Sequence, residues 1–232
     1  MSALSSLFAF MSGTPALVGP MLTALIITLT SDWRVSLSAL TIQYVLVGLA
    51  LTQSIRIEAA LVKVLVGVLV VLILFLSAQR IRHRRSGTPQ TRTEREIEEE
   101  GPSFLGLHIG WLHGPLGFPM RVLAVLLVTL AIVRLFQSYS LTIVSMDVAL
   151  VACWLGGMGM LGLVLSGDPV RVAAAVLTIL TGFDLVYARL EPSLAVVGFF
   201  GAFSLLAALA FAYLTAVHSL HVSPPDSEEI VS

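Results

Sequence analysis

Charge is what this chain has least of. Of its 232 residues 12% are charged and 57% hydrophobic, with a mean hydropathy of +0.96, where a soluble domain carries about 25% charged and roughly 45–50% apolar residues. That supply cannot cover a water-facing surface, which excludes an ordinary soluble globular domain. The formal net charge is −1, so the electrostatic footprint of a nucleic-acid binder is missing as well. Cysteine is scarce too. The single Cys153 lies in an apolar run and excludes both a disulfide framework and a cysteine-based metal site. His108 and His113 have no acid or cysteine beside them, short of the ligand set that zinc requires. The chain has no HExxH, no phosphate loop, no Ser/His/Asp set and no aspartate-rich lipid-transfer motif. Neither a cofactor nor an independent enzymatic activity is expected. Met1–Gly13 lacks a basic stretch, and Pro15 and Pro20 interrupt the first apolar run, so no cleaved signal peptide is expected and the whole chain is read as mature.

What the chain has in quantity is apolar length. Runs near 20 residues, enough to cross a roughly 30 Å hydrocarbon core, fall at 15–30, 35–54, 57–79, 118–137, 142–166, 169–187 and 193–217. They predict an all-α integral membrane protein with seven transmembrane helices, since the alternating strands of a membrane barrel, about ten residues each, read differently. Lys and Arg collect on the cytoplasmic side of membrane helices. Placing residues 80–117 in the cytoplasm puts Arg34, Arg80, Arg82, Arg84, Arg85, Arg92, Arg95, Arg121 and Arg171 inside, against Arg56, Arg134 and Arg189 outside, nine to three. The predicted N-terminus is then outside and the C-terminus cytoplasmic, in a bacterial or archaeal plasma membrane. With Thr91→Cys, the new thiol should be protected from a membrane-impermeant reagent in intact cells, and with Ser140→Cys it should be labelled. The reverse pattern refutes this orientation.

The 80–117 segment runs basic, Arg80–Arg85, then acidic, Glu94–Glu100. It reads as a solvated connector whose arginines hold anionic lipid, or as a docking segment for a soluble partner. Residues 103–114 are apolar but too short to span, and an interfacial segment anchored by Trp111 is expected there. Residues 218–232 form a cytoplasmic tail.

Two of the predicted cytoplasmic turns begin helices that match without gaps at an offset of 137. Arg34-Val-Ser-Leu-Ser-Ala-Leu-Thr-Ile-Gln43 aligns with Arg171-Val-Ala-Ala-Ala-Val-Leu-Thr-Ile-Leu180, and an acid precedes each arginine (Asp32, Asp168). The same offset lays the first three spans on the last three. The chain therefore divides into a first three-helix repeat (1–79), the loop (80–117), a linking helix (118–141), a second repeat (142–217) and the tail, a 3 + 1 + 3 parallel duplication.

Few ionisable or strongly polar residues fall within the spans. Lys63 lies about six residues, or roughly 9 Å, inside the third span. It either snorkels to the outer interface or faces the bundle and finds an acid or water there. Glu58 is turned about 140° from it on the same helix, whereas pairs meet three or four residues apart. Asp147 and Asp184 lie near outer helix ends, where each is either a solvated terminus or a partner for Lys63 across helices. Gln43, Thr41 and Thr178 are mid-helix groups that interhelical hydrogen bonds would satisfy. Lys63, Gln43, Asp184, Asp147 and Glu58 are the candidates for an ion path. Arg34 and Arg171 mark the two cytoplasmic turns. Gly156, Gly157 and Gly159, with Gly162, read as a close-packing face, and Met158 and Met160 as core filling.

The three-helix unit with a basic turn before its middle helix resembles the small K subunit of respiratory complex I. The seven-helix form is similar to the E-type membrane component of hydrogenase-4 and formate hydrogenlyase-type complexes, through Trp33-Arg34-Val35-Ser36, Gln43 and Leu61-Val62-Lys63-Val64-Leu65-Val66, and through Arg171 and Gly182 in the second repeat. The resemblance implies a non-catalytic subunit of an ion-translocating redox complex, beside antiporter-like and other membrane subunits, contributing to a polar axis within the bilayer. The family pattern places a carboxylate in the middle helix of the unit. This chain has Gln43 there in the first repeat and Leu180 in the second. Asp184, one turn beyond Leu180, is the acid that could substitute, although the following turn places it towards the outer surface. Two rival readings are a stand-alone small transporter and a structural or assembly protein that conducts nothing.

Overall fold

A computed structural model describes residues 14–30, 32–52, 57–85, 117–138, 145–191 and 193–221. Among them every regular element is an α-helix: α1 (Thr14–Leu29), α2 (Trp33–Leu51), α3 (Ile57–Arg85), α4 (Gly117–Ser138), α5 (Met146–Leu165), α6 (Pro169–Leu190) and α7 (Leu194–His221). Six of these, α2 to α7, are long and apolar enough to cross a bilayer, which marks an integral membrane protein. The first apolar run, expected over 15–30, is helical at its expected length but too short to count among the six. α1 has 16 residues, about 24 Å at 1.5 Å per residue, and Pro20 lies inside it.

α3 runs six residues beyond the expected end of its apolar run at Gln79 and carries Arg80 to Arg85 as helix. The basic stretch therefore continues the helix axis and does not open a loop. The Glu94–Glu100 run, His108, Trp111, His113 and the 222–232 tail lie outside the described residues.

α1, α2 and α3 pack in sequence, as do α5, α6 and α7, and the two rows face each other: α1 on α5, α2 on α6, α3 on α7. α4 lies outside, against α5. The facing helices run in the same direction. Trp154 Nε1 of α5 donates to the Met21 carbonyl of α1 at 3.1 Å, and Thr28 Oγ1 further along α1 donates to the Met158 carbonyl at 3.2 Å. On α3 and α7 the Ser77 hydroxyl donates to the Ala212 carbonyl, and a Cβ added at Gly201 would meet Val66 at 3.2 Å. Both of those contacts lie 135 residues apart (212 − 77 and 201 − 66).

α6 is the most enclosed helix, with 67% of its span buried, and α4 the least, with 17%. Small residues make the enclosure possible. A Cβ on Gly159 would lie 2.9 Å from the Ala175 carbonyl oxygen of α6, and one on Gly182 would lie 3.0 Å from the Ala152 carbonyl oxygen of α5. The glycine-rich face divides its work: Gly159 and Gly162 meet α6, Gly157 meets Val128 and Ile132 of α4, and a Cβ added at Gly156 would meet nothing within 4 Å. Met158 is core, as expected, but Met160 is 65% exposed. The two are two residues apart, about 200° around the helix, so one helix face cannot bury both.

Candidate functional site

Two of the expected ion-path residues meet. The Lys63 ammonium of α3 forms an ion pair with the Asp184 carboxylate of α6, and both side chains are buried, at 1% and 0% exposure. The pairing follows from helix register. Lys63 stands six residues after the start of α3 at Ile57, and Asp184 six residues before the end of α6 at Leu190. Each is thus about 9 Å from its helix end, and both ends lie on the same side of the bundle. The bundle-facing alternative for Lys63 is the one adopted. The solvated-end alternative for Asp184 is not the one adopted: its side chain is fully buried, on a helix that packs against α2, α5 and α7.

The Lys63 ammonium also lies over the ring of Tyr44, 5.2 Å from its centroid, a cation–π contact. Gly67 makes room for that ring. It follows Lys63 by one turn on α3, and a Cβ there would fall 2.5 Å from both Cβ and Cγ of Tyr44. The aromatic face is therefore seated on the α3 backbone directly below the lysine. Sequence reasoning missed Tyr44 and Gly67. Only Gly67 had a usable signal, as a glycine one turn after the in-span lysine on the same helix face.

Gln43, adjacent to Tyr44 on α2, is fully buried, and neither of its amide atoms has a hydrogen-bond partner among the described residues. The expected interhelical bonds of the threonines are not made. Thr41 and Thr178 donate to the carbonyls of Leu37 and Ala174 in their own helices, which lie four residues back and within closer reach than any neighbouring helix. Thr181, one turn before Asp184, does the same with Leu177.

Asp147 is exposed in the first turn of α5, where a negative charge favours the helix dipole. The Glu58 side chain is outside the described residues. The two repeat-related arginines differ in environment: Arg34 is exposed over the Trp33 ring at 5.5 Å, while Arg171 is 7% exposed. Phe200, which the 137-residue offset places opposite Lys63, packs against Tyr187 at 5.4 Å, so the second row has an aromatic contact where the first has a charge. No group of three or more His, Cys, Asp or Glu able to hold a metal occurs among the described residues. No family model, curated protein or solved structure matches this chain.

Proposed function

We propose that this chain is a membrane subunit of an ion-translocating redox complex of the hydrogenase-4 or complex I type, with the Lys63–Asp184 pair as its intramembrane charge element. In this reading α1 is the seventh span, and the helices form two same-direction triplets joined by α4. The observation that carries it is the buried ion pair itself. Ionised side chains within spans are costly and tend to mark ion or proton pathways, and this one joins the first triplet to the second. The parallel packing of α1 with α5 and α3 with α7 supports the duplicated arrangement.

The chemistry open to such a pair is proton-controlled movement. A proton delivered to Asp184 removes its charge and releases the Lys63 ammonium, which the Tyr44 ring face continues to hold. Loss of that proton recaptures the lysine. Two positional differences from the family pattern bear on this reading, because the acid stands one turn beyond Leu180 and the residue at the family's carboxylate position is Gln43. The complete enclosure of the pair favours a second reading, in which it is a static clip between α3 and α6 in a structural subunit. Partners separate assembly from solitary function. Purification of the full chain in mild detergent should bring down antiporter-like and redox subunits in fixed stoichiometry. Recovery of this chain alone contradicts the assembly and leaves a small transporter or a structural protein.

A further inference from the structure

Gln43 is fully buried on α2, and neither polar atom of its carboxamide has a hydrogen-bond partner among the described residues. The hydroxyl of the next residue, Tyr44, is buried without a partner in the same way. The carboxamide offers two donors and an acceptor, and the hydroxyl can both donate and accept. Each such group left unpaired away from water lowers the folding equilibrium constant by roughly tenfold or more.

The contacts of α2 fix which way these residues are turned. A Cβ added at Gly19 of α1 would meet Leu46 at 2.5 Å, and one added at Gly48 would meet Val64 of α3 at 2.5 Å. Positions 46 and 48 are about 200° apart on a helix, so α1 and α3 cover opposite flanks of α2. Ser38, Ile42 and Val45 are exposed and mark the side turned away from the bundle. Gln43 and Tyr44 lie on the other side, between the two flanks. Gln43 is about 60° from the direction of Leu46, towards α1, and Tyr44 about 40° from that of Gly48, towards α3.

Depth narrows what could satisfy them. Gln43 stands ten residues after the start of α2 at Trp33 (43 − 33) and eight before its end at Leu51 (51 − 43), about 15 and 12 Å from the two helix ends. With 0% exposure the carboxamide offers no surface to a lipid headgroup or to a side chain of another protein. Its ligand has to be small enough to sit inside the bundle and able to accept as well as donate. Water meets both conditions. Buried waters are held by two to four hydrogen bonds to otherwise unpaired polar groups, and ordered water satisfies polar groups between membrane helices.

We propose that the Gln43 carboxamide and the Tyr44 hydroxyl bind internal water, which makes the interior face of α2 a hydrated site within the bundle. Tyr44 joins this site to the ion pair, because the face of its ring lies beneath the Lys63 ammonium while its hydroxyl is one of the water-binding groups. The site does not depend on the proposed function, since a static clip and a moving pair would be hydrated there alike.

The test is magic-angle-spinning NMR of the full chain in deuterated phospholipid bilayers, with the Gln43 side chain assigned through Ile42 and Tyr44. At short mixing times, and at a pH where amide protons exchange slowly, magnetisation from water protons should reach the Gln43 amide nitrogen. The methyls of Leu40 and Leu177, also at 0% exposure, should receive none over the same interval. A Gln43 amide as silent as those methyls is dry and overturns the proposal. Stability gives a second reading. Deleting a hydrated amide or hydroxyl gains nothing, so Gln43→Leu and Tyr44→Phe should leave the folding equilibrium constant unchanged or lower it. A rise of roughly tenfold or more in Gln43→Leu is the release of an unpaired amide from an apolar core and also overturns the proposal. Should Gln43→Leu fail to fold, the wild-type NMR result decides alone.

Discussion

Lys63→Met alone is expected to destabilise the protein by about 3–5 kcal/mol, because it strands the Asp184 carboxylate in an enclosed apolar site. The Lys63→Met/Asp184→Leu double variant should recover most of that loss, since removing both partners leaves no charge to desolvate. The ordering is the informative part. A buried pair lowers stability most when it is half removed, whereas a snorkelling lysine and a solvated aspartate would give two small and additive effects. Unfolding free energies of the wild type, both single variants and the double variant, measured in detergent, give the coupling directly. Equal stability of Lys63→Met and wild type would contradict the enclosure of both side chains, at 1% and 0% exposure.

Gly67→Val should lower stability by about 1–3 kcal/mol through overpacking. The new atoms fall where the Cβ and Cγ of Tyr44 already lie, at 2.5 Å. Those atoms are close to the α2 backbone, so the ring cannot swing away as a flexible side-chain tip would. Either α2 separates from α3 or Tyr44 leaves its rotamer, and in both cases the aromatic face moves from beneath Lys63. Gly201→Ala is the milder comparison, because its Cβ would meet a Val66 methyl at 3.2 Å. A Gly67→Val protein as stable as Gly201→Ala would contradict the close seating of Tyr44.

The helical class and most of the spans were legible because each apolar run is bounded by polar punctuation, as at Gly167-Asp168-Pro169 and Arg189–Pro192. The end of α3 was not, since hydropathy falls at Arg80 while helix propensity does not: arginine is a good helix former, and the backbone continues to Arg85. The pair was half legible. Lys63 stood out as the one lysine of the chain, inside a span. Its partner lies 121 residues away (184 − 63), on a helix of the other row, and which acid it meets depends on the packing order of helices rather than on local pattern. Tyr44 was hidden for the same reason, because an aromatic among apolar residues carries no sign of the cation above it. The matching Arg34 and Arg171 segments gave no hint that one arginine would be exposed and the other buried, since burial is decided by which helices flank each turn.

If the double variant keeps its fold, it separates the charge from the scaffold. Ion translocation per electron transferred, measured in proteoliposomes carrying the proposed redox complex with Lys63→Met/Asp184→Leu, tests the central claim most directly. The complex should assemble and keep its redox turnover while coupled translocation is lost. Normal coupling in an assembled complex would contradict a charge-carrying role and leave the pair as a clip between α3 and α6.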